Sequence, residues 1–444
     1  MAHFAVVAPA LYSHFNTLTV LARELVARGH RVTFVHRPDA AAYVKDERIG
    51  FHAVGLDTHP AGSLPAMLAR VANPGSPLGL RRVILDMAAS TTMLCRELPA
   101  ALRRLQVDFI VADQMEAAGG LVAEGIGMPF VSVACALPVN REPGIPLPVM
   151  PFMYEDSERA FKIVEGSTMV YDWMMQPHER AISAAAQQFG LSPRAKLHEC
   201  LSPLAQVGQI VPGFDFPRRA LPPHFHHVGP LHSGAAVSAA VSAAVPAQSP
   251  AELAALLPPA ASTRPFVYAS LGTLVSQRFG LFKRIAHACA RQDAHLLVAH
   301  CGGLDDSQVR ALERIGDTRV HAFVPQLAVL GRADAVISHA GANTVMEAIA
   351  TRTPILALPI AFDHPGAAAR VEYAGVGLRA SPRFATVAAL SRKLRRLLDE
   401  PGFRQRMAPL AEQIRQAGGA PRAADVIEAA LGLAPASQGL ASHG

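Results

Sequence analysis

His339, Asn343 and Thr344 set side-chain donors around a small-residue turn that also holds Gly341, in the run SHAGANTVMEAIATRTPILALPIAFD ending at Asp363. The turn joins an apolar strand, Asp334–Ser338, to a helix that opens at about Asn343. Unpaired backbone N–H groups and the positive end of the helix dipole at such a junction suit a diphosphate. Glu347, one turn deeper, is placed to accept from ribose hydroxyls. Asp363, at the carboxyl end of a second apolar strand, Ile355–Ile360, is placed to hold sugar hydroxyls. Together these residues point to a nucleotide sugar.

A second set lies far upstream. His14 sits in the first strand-to-helix turn, PALYSHFNT, and crevices at the carboxyl ends of strands are where open α/β sheets hold their active sites. The turn lacks GxGxxG and the following strand ends in His36 rather than an acid, so a dinucleotide is disfavoured there. An imidazole in that place suits a general base acting on an acceptor. Asp113 ends the strand VDFIVAD on the same sheet edge. It reads equally as the carboxylate that orients His14 and as a cap for the helix it precedes. In SLGT, Ser270, Gly272 and Thr273 offer small residues and hydroxyls to the diphosphate from the other side, and a ligand-free tight turn is the plain alternative. Phe323 either packs on a uracil ring or fills the core, and the neighbourhood of Val324 and Gln326 in FVPQ is placed to meet the nucleoside. There is no GxSxG elbow, no Walker lysine, and no spaced metal-ligand set around the crowded His224, His226 and His227.

Stepping out to the elements, strand HFAVVAP, helix Thr17–Arg28 and strand RVTFVH form a βαβ unit, repeated in VDFIVAD, helix Met115–Gly125 and PFVSVA. Strands alternating with helices predict a parallel sheet covered on both faces. Proline-rich and alanine-rich texture from Pro203 to about Ala261 predicts a linker with a poorly ordered loop at Ala235–Ala261. Alternation restarts at PFVYASLGT. The expected organisation is a domain over 1–211, a linker over 212–262, a second domain over 263–400, a C-terminal helix over 401–430 that crosses back, and a tail over 431–444.

The 444 residues, 50% apolar and 17% charged, suit two cores. A net charge of +6 without a dense basic block disfavours nucleic acid and leaves a solvated surface, or adhesion to an anionic membrane, as its use. Five scattered cysteines fit a reducing cytoplasm. The N-terminus has no signal-peptide pattern, and no apolar run is long enough to span a bilayer.

The order Pro325-Gln326, His339, Gly341, Asn343, Thr344, Glu347, Pro359, Asp363 resembles the donor-binding signature of family 1 glycosyltransferases. YSHFNTL, ELVARGHRVTF, ADQMEAAGGLVAE, YDWM, ASLGTL and LALPIAFDHPG narrow the resemblance to members that act on carotenoids. The resemblance implies a GT-B fold, two Rossmann-like doubly wound domains facing across a cleft. It implies UDP-glucose as donor, a hydroxylated carotenoid as acceptor, and no metal. His14 becomes the base, Asp113 its partner, His339 and Thr344 phosphate ligands, Glu347 the ribose contact and Asp363 the glucose contact. This chain has Phe323 where the family often has tryptophan, His364 where a glutamine commonly follows the aspartate, and Asn16 where proline is frequent. Ala134–Pro138 and Pro143–Phe152 are candidates for an apolar acceptor groove. Two other classes stay open, a protein that binds a nucleotide sugar without transferring it and a UDP-sugar epimerase.

Overall fold

In the computed structural model, which describes residues 1–231, 253–254, 256–259 and 261–433, two all-parallel sheets each carry helices on both faces. The first has the order β3-β2-β1-β4-β5-β6-β7, from β1 (His3–Val7), β2 (Arg31–His36), β3 (Gly50–Ala53), β4 (Phe109–Asp113), β5 (Phe130–Ala134), β6 (Gln206–Gly208) and β7 (Phe225–His227). The second has the order β10-β9-β8-β11-β12-β13, from β8 (Phe266–Ser270), β9 (His295–Ala299), β10 (Asp317–His321), β11 (Ala335–Ser338), β12 (Ile355–Ala357) and β13 (Gly377–Arg379). Central strands such as β1, β5 and β8 are buried along their whole length, as parallel strands covered on both faces must be. Alternate residues feed opposite cores: Phe4 and Val6 of β1 enter one, Ala5 and Val7 the other.

The first domain carries α1 (Tyr12–Ala27), α2 (Leu64–Ala72), α3 (Pro77–Leu105), α4 (Ala117–Gly125) and α5 (Glu158–Gln188). The second carries α6 (Phe279–Ala290), α7 (Asp306–Glu313), α8 (Gln326–Leu330), α9 (Ala342–Ala350), α10 (His364–Tyr373) and α11 (Val387–Asp399). The chain ends in α12 (Gly402–Ala417) and α13 (Gly419–Ala430).

Several expectations need correction. The first helix begins at Tyr12, not Thr17, so His14 lies within its first turn. β12 stops at Ala357, before Pro359, which has no N–H to give a ladder; Asp363 therefore stands at the head of α10 rather than at a strand end. The stretch taken as a linker supplies β7 to the first sheet and Leu256 to the second core, because short apolar pieces between the prolines still bury themselves. Most of the loop expected at Ala235–Ala261, and most of the tail, fall outside the described residues. The C-terminal segment is two helices, broken at Gly418 with φ +90°. Met407, Leu410 and Ile414 of α12 join the second domain's core, whereas Ala420, Ala423, Ala424 and Ile427 of α13 pack against α1 in the first. Among the described residues no helix is long and apolar enough to cross a membrane.

Candidate active site

In each sheet the strand order reverses beside the first strand, between β1 and β4 and between β8 and β11. Such reversals open a crevice at the carboxyl ends of the strands. α1 starts there with Leu11 at its N-cap and no side chain capping it, which leaves first-turn N–H groups open. His14 projects from that turn, 12% exposed, and its Nδ1 lies 2.6 Å from Oδ2 of the fully buried Asp113. The other oxygen of Asp113 accepts from the Met115 N–H at 2.9 Å. Asp113 thus pairs with His14, as one reading had it, while the cap reading fails: the helix that follows starts at Ala117 and is capped by Glu116, whose side chain accepts from the Ala118 N–H. With Nδ1–H given to the carboxylate, Nε2 is the nitrogen left to take a proton.

Burial works against the imidazolium of His14, but the Asp113 carboxylate outweighs it, helped by its hydrogen bond and by Asp363; the pKa rises above the ordinary 6.5. Cys135 completes a trio whose ligating atoms lie within 4.8 Å of one another. Burial and the Asp113 charge push its thiol well above 9.0, so beside the carboxylate it is an S–H.

Across the cleft, the His339 ring lies between Gly272 and Gly341. A Cβ at Gly272 would come within 2.6 Å of its Cε1 and Nε2, and one at Gly341 within 2.5 Å of Nε2. Only glycine leaves room for the imidazole at either place. Ala340 holds φ +69° between them, strained backbone that places the turn. Gly341 is the N-cap of α9 and offers no side-chain acceptor, so the helix presents open N–H groups beside His339. The rings of His339 and His364 meet edge to face at 4.5 Å. Burial brings both down to about 3, so both are neutral. Nδ1 of His364 accepts from the Ala361 N–H at 3.2 Å, which assigns its proton to Nε2 and makes it a donor.

Glu347 is held by Gln326, whose Nε2 donates to it at 2.7 Å, and Tyr268 in turn donates to Oε1 of Gln326 at 3.0 Å. Gln326 is therefore occupied in positioning Glu347. Burial lifts the Glu347 carboxyl to about 7. Thr344, within reach of Gln326 at 3.3 Å, sits one turn before. Phe323 is 43% exposed, which removes the core reading and leaves its ring face available. Val324 is the opposite: its side chain enters the second core, leaving only backbone for a ligand. Ser270 is buried under the turn while Thr273 is exposed.

The two halves meet through contacts that sequence reasoning missed. Leu137 N–H donates to Oδ2 of Asp363 at 3.2 Å, and Asn343 Nδ2 donates to Oγ1 of Thr17 at 3.0 Å. Gln114, next to Asp113, fixes the Leu137 segment by bonding Leu137 O at 2.8 Å and Val139 N at 3.0 Å. A lone threonine and a backbone amide carry no signature, so nothing in the sequence marks them. The assembled cleft has the His14–Asp113 pair on one side, His339, Thr344, Glu347 and Asp363 on the other, and hydrogen bonds between the two halves.

The comparisons agree with this geometry. The model of the family described as UDP-glucoronosyl and UDP-glucosyl transferase matches residues 4–415. The chain is 50% identical to a zeaxanthin glucosyltransferase of Pantoea ananas, with 96% of each chain covered. It is 45% identical to one of Pseudescherichia vulneris, covering 97% of this chain and 98% of the relative. Among solved structures, the glycotransferase of kitacinnamycin superposes with a TM-score of 0.72 at 23% identity, covering 97% of this chain and 99% of that one, and shows the shared GT-B fold. The chain belongs to the UDP-glucoronosyl and UDP-glucosyl transferase family and is a glycosyltransferase of GT-B architecture.

Proposed function

We propose that this enzyme transfers glucose from UDP-glucose, with inversion, to the ring hydroxyls of zeaxanthin, giving first a mono- and then a diglucoside. The reading rests on the His14–Asp113 pair standing within electrostatic reach of Asp363, and on the identity to the two relatives. The acceptor oxygen attacks the anomeric carbon, its proton passes to Nε2 of His14, and the bond to the diphosphate breaks. Asp113 stabilises the imidazolium that forms. Asp363 and the donor Nε2–H of His364 hold the glucose hydroxyls, and Glu347 holds the ribose. Negative charge on the departing UDP is met by the N–H groups heading α9, by His339 and by Thr344, so this reading requires no metal. The site of action is the cytoplasmic side of a membrane, where an apolar acceptor resides.

The test is incubation of purified protein with UDP-glucose and zeaxanthin, alongside flavonoid and macrolide acceptors, with products identified by mass. Glucosylated zeaxanthin that disappears with His14→Ala supports the proposal. Transfer only to another acceptor class, or loss of donor without any acceptor, overturns it.

A further inference from the structure

One face of α5 has no role in the cleft chemistry and no partner among the described residues. Ile163, Gly166, Val170, Trp173, Met174 and Pro177 recur at three- and four-residue spacing and so share a side, with Met169 beside them. Trp173 is 69% exposed and Met169 68%. The opposite side, Val164, Met175, His178 and Ile182, is buried. The helix's carboxylates, Glu158, Glu165, Asp172 and Glu179, fall seven residues apart along a separate edge. Arg159 and Lys162 border the apolar face at one end and Arg180 at the other.

We infer that this face of α5 docks on a lipid bilayer carrying anionic headgroups. An apolar stripe with a tryptophan and flanking cations is the pattern of a helix lying in the interfacial plane, its apolar side chains in the acyl boundary and its cations among the headgroups. Charge complementarity selects the lipid: Arg159 and Arg180 border the stripe, Lys162 beside them is paired with Glu158, and the whole chain carries +6. The placement serves the cleft. Phe161, in the first turns of α5, lies 3.5 Å from the Cβ position of Gly144. The same loop continues to Pro148, whose carbonyl accepts from Gly366 N at 3.0 Å, and to Pro151, whose carbonyl accepts from Arg379. The first turns of α5 thus lie beside the mouth between the domains; delivery of an apolar acceptor there rests on the proposed function, whereas lipid binding itself does not.

Trp173 is the only tryptophan of the chain, so its fluorescence reports this face alone. The experiment adds the full-length protein to vesicles of mixed phosphatidylglycerol and phosphatidylcholine, to vesicles of phosphatidylcholine alone, and to vesicles with brominated acyl chains. The expected result is a blue shift on anionic vesicles, quenching by the bromines, and binding to phosphatidylcholine alone weaker by on the order of tenfold to a hundredfold. The pair Met169→Glu with Val170→Glu should abolish the shift while circular dichroism and turnover of a water-soluble acceptor stay unchanged. Three results overturn the inference: emission indifferent to anionic vesicles; a concentration-dependent shift without lipid accompanied by a dimer mass, which assigns the face to a second copy; or quenching by the polyene acceptor without vesicles, which assigns it to the acceptor. Any of these would leave His14-dependent transfer, and so the proposed reaction, untouched.

Discussion

On the proposed mechanism, His14 and Asp113 together set the reaction's pH dependence. The base must be neutral to accept a proton, and its pKa is raised above 6.5, so kcat/KM should fall as pH drops through a limb above that value. Asp113→Asn removes the charge that, with its hydrogen bond and Asp363, offsets burial, so the limb should move to lower pH while kcat falls. A limb that stays in place would remove Asp113 as the cause. His14→Ala should lower kcat by roughly 100- to 10,000-fold with UDP affinity unchanged, as calorimetry would show. On the donor side Gly341→Ala drives a Cβ to 2.5 Å from Nε2 of His339, so the ring must leave its place and the KM for UDP-glucose should rise by about tenfold or more. An unchanged KM would mean the ring does not touch phosphate. These residues were legible because chemistry fixes their types: a diphosphate needs donors at a helix start, and a proton acceptor near neutral pH needs imidazole. Thr17 and Leu137 were illegible because they act through one hydroxyl and one backbone amide, whose partners are 326 and 226 residues away. Gln326 was legible as a site residue but not in its role, since only the structure shows its amide spent on Glu347.

The elements that carry these side chains were readable wherever apolar residues recur with one period, as in the strands HFAVVAP and PFVYA. Boundaries were not. The start of α1 at Tyr12 has no capping side chain to mark it in the sequence. β7 was hidden by the prolines around it, because three residues at a sheet edge give too short a pattern to outweigh their neighbours. The return of α13 to the first domain was suspected, but its contacts depend on tertiary packing. It has a strong consequence: Ile427 is fully buried against α1, and Glu428 joins Arg28 and His30 at 2.7 and 2.9 Å. Ile427→Ala should cost about 2–5 kcal/mol. The loss should fall on the first domain, which α13 helps to close, while the second keeps UDP. Urea unfolding followed by hydrogen exchange would locate it, and equal loss in both domains would show that α13 is not confined to the first core.

At the scale of the whole molecule, buried titratable groups of opposite kinds set stability against pH. His36, His339 and His364 are brought to about 3 and His178 and His198 to about 4, chiefly by burial. Each is neutral in the folded state and takes a proton on unfolding once the pH is under 6.5, so this set lowers stability as pH falls from 6.5 toward 4. Glu116 and Glu347 act in the other direction: burial raises both to about 7 from 4.5, so the folded state holds protons that the unfolded chain releases, and stability grows as pH falls through that window. Near pH 5.5 the histidines that take up protons on unfolding outnumber the two glutamates that release them, so stability rises toward neutral pH. His14 shifts the other way from its fellow histidines, since its raised pKa gives stability that is complete below 6.5 and lost above it, which places the maximum near neutrality. Urea titrations from pH 4.5 to 7.5 would measure the slope. Glu347→Gln removes one released proton, so the slope should steepen by about 1.4 kcal/mol per pH unit. An unchanged slope in that variant would mean that Glu347 is already ionised in the folded enzyme, and the ribose contact would then be made by a carboxylate whose charge the Gln326 amide alone sustains.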